Sequence, residues 1–389
     1  MRDKTKTFRI NRAPKTPSLR KIPSHLIRRP TWSSPAIPWY TKIMLRFQGD
    51  SQFFRSLIQY SFILLCIWIG IEFYLFVTWG QAAGASTFYQ RPPGVEGFLP
   101  ISALISLDYW LRSGIINSIH PSGLFILLAI IAVSLSLKKA FCSWLCPIGT
   151  ISEWLWMAGK KIFGRNLTIP PWLDYPLRAL KYLLLLFFVI SIGMMDVDTL
   201  KNFIYSPYNK VADVKMYLFF DQISRFALAI ILLLGLLSVF IKNFWCRYLC
   251  PYGALLGFIS ILSPVKIMRK SHTCIDCKLC TKACPSSINV HTAVRVWSDE
   301  CTGCYSCVEA CPVKNTLVMS TSPIGKEIPS KIFGILLLTI FTTIVGLAMV
   351  TGHWHNSITK EEYLKRIQNI ESPLYQHNQG QVPQYSPND

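Results

Sequence analysis

Apolar residues in this chain come in long runs, and the charged residues gather between them. Five runs stand out: Leu57 to Trp79, Gly123 to Leu137, Ala179 to Met195, Phe226 to Ile241 and Ile332 to Val350. A helix that crosses a bilayer needs about 20 apolar residues. The first and last runs reach that length alone. The middle three borrow flanking residues, with Lys138, Lys139 and Lys181 snorkelling to the interface. The pattern predicts a membrane bundle of five helices. Before it, residues 1–55 are basic, rich in Pro and Ser, and free of any apolar period. They read as a flexible cytoplasmic tail lying against anionic lipid.

Charge sets the sides. Of the 40 Lys and Arg residues, 31 fall in residues 1–56, 138–181 and 242–331, and nine in the alternate segments. The positive-inside bias puts the N-terminus and the long loop before the fifth run in the cytoplasm, and the C-terminus outside. The formal net charge of +20 also invites a nucleic-acid reading. The uninterrupted apolar runs exclude it.

The chain has 13 cysteines, and all but Cys66 fall into four compact motifs on the predicted inner side. Cys66 sits inside an apolar run and reads as a buried packing residue. Cys274, Cys277, Cys280 and Cys284 form C-x2-C-x2-C-x3-C before Pro285, and Cys301, Cys304, Cys307 and Cys311 repeat it before Pro312. This is the bacterial two-cluster ferredoxin pattern, in which the fourth cysteine of each run ligates the other cluster. Cys274, Cys277, Cys280 and Cys311 should hold one 4Fe–4S cluster. Cys301, Cys304, Cys307 and Cys284 should hold the second. Paired zinc sites would also use eight ligands, but zinc motifs rarely add a third cysteine and a Cys-Pro at this spacing.

Two further motifs are Phe-Cys-Ser-Trp-Leu-Cys-Pro-Ile-Gly at Phe141 to Gly149 and Trp-Cys-Arg-Tyr-Leu-Cys-Pro-Tyr-Gly at Trp245 to Gly253, offset by 104 residues. Each follows an apolar run, as in an internal repeat of two helical halves about a pseudo-twofold axis. If the halves meet, Cys142, Cys146, Cys246 and Cys250 converge at the inner boundary. They could then ligate a further Fe–S cluster or act as a dithiol relay. The alternative is a packing motif in which Pro and Gly shape the helix end.

Two Cys-x3-Cys-Pro motifs on apolar helices, followed by a two-cluster ferredoxin pattern, resemble the NapH-type membrane polyferredoxins of the NapH/NosR/CcoG-like superfamily. The outer segment from Arg91 to Ser102 also resembles a sequence typical of that group. The likeness covers roughly residues 55–320. It implies a quinol dehydrogenase component of the bacterial inner membrane. Its partners would be the quinone pool and a redox protein: a ferredoxin-like subunit, a cytochrome or a terminal reductase. A NosR-like outer flavin domain and a CcoG-like folded C-terminal domain have no counterpart, and a fifth span departs from the four usual in NapH.

The expected fold is a membrane all-α bundle of about five helices in two pseudo-symmetric halves, with an inserted small α+β ferredoxin domain. Residues 56–265 carry the first four spans, 266–322 the ferredoxin domain, 323–352 the fifth span and 353–389 a short outer polar tail. Quinol oxidation needs an apolar slot and a proton acceptor. Glu96, Asp108 and His120 in the outer loop are candidates, with His353 and His355 at the same depth and Glu72 inside the first span as a relay. Gly97 to Leu111 should form a half-buried helix there. With no Cys-x-x-Cys-His, no histidine inside a span and no Gly-x-Gly-x-x-Gly, neither haem nor a Rossmann-bound nicotinamide is expected. Two rival functions remain: a CcoG-like factor that reduces a metal during assembly of a respiratory enzyme, and a membrane redox sensor.

Overall fold

The computed structural model describes residues 51–321 and 325–376. The basic tail expected over residues 1–55 lies almost wholly outside the described residues, as does the end of the outer tail.

Helices dominate. In chain order they are α1 (Ser51–Gln81), α2 (Pro100–Ser113), α3 (Pro121–Leu137), α4 (Pro147–Phe163), α5 (Pro171–Gly193), α6 (Val197–Ile204), α7 (Ala212–Asp221), α8 (Arg225–Phe240) and α9 (Pro251–Ser260). After the ferredoxin domain come α10 (Ser330–Val350) and α11 (Lys360–Gln368). Five of them, α2 to α5 and α9, begin with proline. Proline is at home there because the first helical N–H has no partner to lose. Three helices, α1, α5 and α10, are long and apolar enough to cross a membrane. A fourth crossing forms if α7 and α8, bent by 83° at their junction, count as one. Leu64, Trp68, Phe187 and Leu232 stand out from these helices as exposed apolar side chains. In water such a surface would aggregate, and in lipid it is the expected face.

The second apolar run behaves differently. Helix α3 has 17 residues and packs against α2, α9 and α10, so most of its apolar surface is buried by protein, with Leu135 left exposed. Two apolar cores result. The outer core joins the end of α1 to α2, α6 and α11 through Phe76, Trp79, Leu200 and Tyr363. The inner core joins α3, α10 and the ferredoxin domain through Val133, Trp144, Tyr305 and Phe333.

The ferredoxin domain is closed by strand β1 (Lys266–Arg269) and strand β2 (Leu317–Ser320), paired antiparallel with Lys266 opposite Ser320. Its first and last strands therefore lie side by side, and both cysteine runs are held in the loop between them. The tail after α10 contains α11, whose Tyr363 and Ile367 are buried. Its capping Thr359 accepts from the Glu362 N–H, which is local turn chemistry easily overlooked in a polar stretch. Cys66 is half-exposed on α1 rather than buried.

Candidate metal centres and the outer charge network

The two cysteine runs of the ferredoxin domain sort into two cavities. One is lined by Cys284, Cys301, Cys304 and Cys307 together with Ile267, Ile288, Val290 and Tyr305. The other is lined by Cys274, Cys277, Cys280 and Cys311. Each cavity draws three cysteines from one run and the fourth from the other, the sets that the crossed pattern assigns. Burial pushes the Cys284 thiol up to about 12, and Cys301 and Cys307 are raised as well. A thiol in such surroundings stays protonated unless a metal takes the charge. The backbone helps: N–H groups of Gly303 and of Ile288 are directed at Cys301 and Cys284. Four buried thiols around an apolar cavity, with amides aimed at sulfur, fit a 4Fe–4S cluster.

The two Cys-x3-Cys-Pro motifs share one backbone bond, although Phe141–Trp144 is an α-helical turn and Trp245–Leu249 a π turn. The Cys146 N–H donates to Phe141 O at 2.9 Å, and the Cys250 N–H donates to Trp245 O at 3.0 Å. Each second cysteine is the extended residue that caps a proline-initiated helix. Gly149 and Gly253 let that helix approach the preceding turn. A Cβ on Gly149 would sit 2.1 Å from Cys142 O, and one on Gly253 would sit 3.3 Å from Cys246 O. The four thiols are close enough to influence one another's ionisation. Burial raises Cys142, to about 11, and raises Cys146 and Cys246 as well. Tyr252 and Lys139 lie against the same group. Among the described residues no three His, Cys, Asp or Glu side chains converge on a single metal-ion position.

Buried charges fasten both motifs. Arg55, at the start of α1, donates to Ser143 O at 3.1 Å and to Glu153 at 2.5 and 2.8 Å. Asp174 accepts from Tyr248 at 2.6 Å and from Arg247 at 2.9 Å. Between the motifs, Glu300 pairs with Lys181 and with Lys139 at 3.5 Å. Burial alone would raise the Glu300 carboxyl, but Lys139 and Lys181 outweigh it and hold it below the usual range. Glu300 precedes Cys301, and Lys139 also faces Cys142, Cys246 and Cys250, so one ion pair separates the four-thiol group from a ferredoxin cavity. Sequence reading missed all of these pairs. The residues are ordinary charges flanking apolar helices, and no spacing joins them.

The outer candidates form a closed network. Arg91 donates to Glu96 at 2.9 Å and to Asp213 at 2.5 Å. The other Glu96 oxygen accepts from the Ser122 hydroxyl at 2.5 Å and from the Gly123 N–H at 2.9 Å. His120 Nδ1 is 3.4 Å from Glu96, and its Nε2 donates to Asn209 O at 2.7 Å. Glu96 and His120 are each 1 % exposed. The two candidate proton acceptors of the outer loop, Glu96 and His120, thus lie together inside this network. Asp108 pairs with Arg112, which caps the end of α5 at Gly193 O and Met195 O. His353 lies against Phe125. Glu72 is half-buried on α1, with no polar partner among the described residues.

Comparison with known proteins agrees with this layout. The 4Fe-4S binding domain family matches residues 119–166 and 225–270, which hold the two Cys-x3-Cys-Pro motifs. The 4Fe-4S dicluster domain family matches residues 266–312. The chain is 41 % identical over 355 residues to YccM of Escherichia coli (strain K12), a protein whose name assigns it provisionally to electron transport. That alignment covers 90 % of this chain and 97 % of YccM. It is 30 % identical to the ferredoxin-type protein NapH of the same organism over 36 % of this chain and 46 % of NapH. It is 29 % identical to the regulatory protein NosR of Pseudomonas aeruginosa over 46 % of this chain and 24 % of NosR. No solved structure matches.

Proposed function

Because the chain belongs to the NapH/NosR family of membrane iron–sulfur proteins and serves electron transport, we propose that it passes electrons between the quinone pool and a redox protein on the inner side of a bacterial inner membrane. The observation that carries this reading is the succession of thiol groups. Four cysteines meet where the apolar helices end. Next to them, across Lys139 and Glu300, stands the Cys284, Cys301, Cys304, Cys307 set. Beyond it stands the Cys274, Cys277, Cys280, Cys311 set.

A 4Fe–4S cluster held by either ferredoxin set supplies a one-electron couple without substrate chemistry of its own. The residues around the sets do the rest. Lys138 donates to Ser298 O at 3.1 Å and places a cation beside Cys301, which favours added negative charge there. Trp144, Tyr305 and Phe333 pack over the same set and keep water from it. The Cys142, Cys146, Cys246, Cys250 group would be a third redox centre, as a cluster or as dithiols. It is the group nearest the bilayer, where a lipid-soluble quinol can reach.

The reading includes five crossings and two related halves. At about 1.5 Å per residue, the 17 residues of α3 give roughly 25 Å, close to a bilayer core with its flanking residues added. Positive-inside charge supports a cytoplasmic position for both cysteine motifs and the ferredoxin domain.

Iron and acid-labile sulfide should be counted per chain in anaerobically purified protein, with EPR before and after quinol addition. Two ferredoxin clusters give about eight irons, and a third centre of the same type about twelve. Signals that appear on quinol addition support the reading. Clusters that quinol leaves oxidised would remove the quinone half of it.

A further inference from the structure

We propose that the face around Cys277 is the docking port for a small acidic one-electron carrier protein. This rests on the reading that the two ferredoxin sets hold clusters. Most side-chain hydrogen bonds that seat the domain on the helices of the inner core fall on residues 298–305, while Lys242, just after α8, reaches Lys282 O and Cys284 O. Lys138 reaches Ser298 O, Tyr182 reaches Asp299, Ser143 reaches Thr302 O, Trp144 reaches Gly303 O and Gln52 reaches Cys304 O. The Cys284 set is therefore the inward one. The Cys274 set is the outward one, and Cys277 is the exposed cysteine among the thirteen.

The surface around it has the character of an electron-transfer contact. Leu279, 43 % exposed, gives an apolar centre beside the thiol. Lys270, Lys278 and Lys314 stand exposed around the cavity, Lys278 lining it and the other two each following a lining residue, Arg269 and Val313. Among the described residues none of these three ammonium groups meets a carboxylate. Asp276 is the one exposed carboxylate in the same loop. A cationic rim around an apolar spot over a redox group steers an anionic partner and sets its orientation with little buried area. Anionic lipid would be the other taker of lysines. Most hydrogen bonds to the membrane helices fall on residues 298–305 and not on the port residues, and lipid gives no reason for an exposed cluster ligand.

The test uses the full-length, cluster-loaded protein in detergent or nanodiscs and a small acidic ferredoxin, reduced beforehand, as the probe. Stopped-flow absorbance reads the second-order rate of electron transfer across a range of salt. For the wild-type chain the rate should fall steeply with salt. The Lys270→Glu/Lys314→Glu chain should be at least about tenfold slower at low salt, with the salt dependence flattened. A Lys270→Gln/Lys314→Gln chain should fall between, which guards against a folding defect in the charge reversal. Dithionite reduction and EPR signals should match wild type in both. Equal rates with the acidic ferredoxin would overturn the proposal, and so would a loss confined to binding of anionic-lipid vesicles. A wild-type chain without iron–sulfur signals would instead remove the underlying reading, and the two failures are told apart before any variant is made.

Discussion

The Trp144 indole N–H donates to the Gly303 carbonyl at 3.1 Å. The residue between the first pair of cysteines is thus bonded to the loop between Cys301 and Cys304. Gly303 has φ of +61°, and a Cβ there would lie 2.9 Å from the Phe333 ring, so the loop is shaped to present that carbonyl. Trp144 is fully buried. Trp144→Phe should cost about 1 kcal/mol through the lost bond. Trp144→Ala should cost about 3–5 kcal/mol through the cavity. Thermal unfolding in detergent checks both, and the EPR signal of the Cys301 set should be lost before that of the other set. Unchanged melting of the alanine variant would count against the pin.

The two motif glycines should not respond alike. Gly149→Ala places a methyl against the Cys142 carbonyl at 2.1 Å, and backbone cannot yield. Gly253→Ala meets its carbonyl at 3.3 Å, which a small shift relieves. The first should destabilise by about 1–3 kcal/mol and the second by less. Comparing melting points of the two variants decides it. A reversed order would show that the local geometry of the repeat has been misassigned.

Crossed ligation can be read from single substitutions. Cys311→Ser should remove the cluster of the Cys274, Cys277 and Cys280 run and leave the other signal intact. Iron should fall from about eight to about four per chain if the four-thiol group is empty of iron. Loss of the Cys301 signal instead would mean that each run holds its own cluster.

Arg91 is the buried hub of the outer network. Arg91→Met would leave Glu96 and Asp213 buried without their cation, at a cost of about 3–5 kcal/mol. Burial pushes the Glu96 carboxyl up, while Arg91, His120 and Ser122 outweigh it and hold it below its ordinary value of 4.5. A group depressed in the folded state stabilises fully above its unfolded value and loses that contribution as pH falls through its folded value. Stability from Glu96 should therefore be flat from about pH 5 to 8 and decline only in acid. Unfolding midpoints against pH should show a shallower acid decline in Glu96→Gln than in wild type.

Much of this was legible in the chain. The ferredoxin spacing and the Cys-x3-Cys-Pro repeat are local signals, so reading along the sequence reaches them. The Arg91–Glu96 pair was readable too, since both ends lie five residues apart in one segment. Its closure by Asp213 was not, because that partner is 122 residues away and nothing in its neighbourhood marks it. The same holds for Arg55 with Glu153 and for Lys139 with Glu300. Helix α3 was hard for another reason. A helix buried mostly by protein and one facing mostly lipid carry the same apolar run.

The pairing of β1 with β2 has a mechanical consequence. The ferredoxin domain leaves and rejoins the helices at adjacent points, and Trp144 and Phe333 clamp it from both. It is built as a fixed relay and not as a pendulum on a linker. Internal passage of electrons should then be set by frozen distances, and thickening the solvent with glycerol should slow the arrival of a partner without slowing transfer inside the chain.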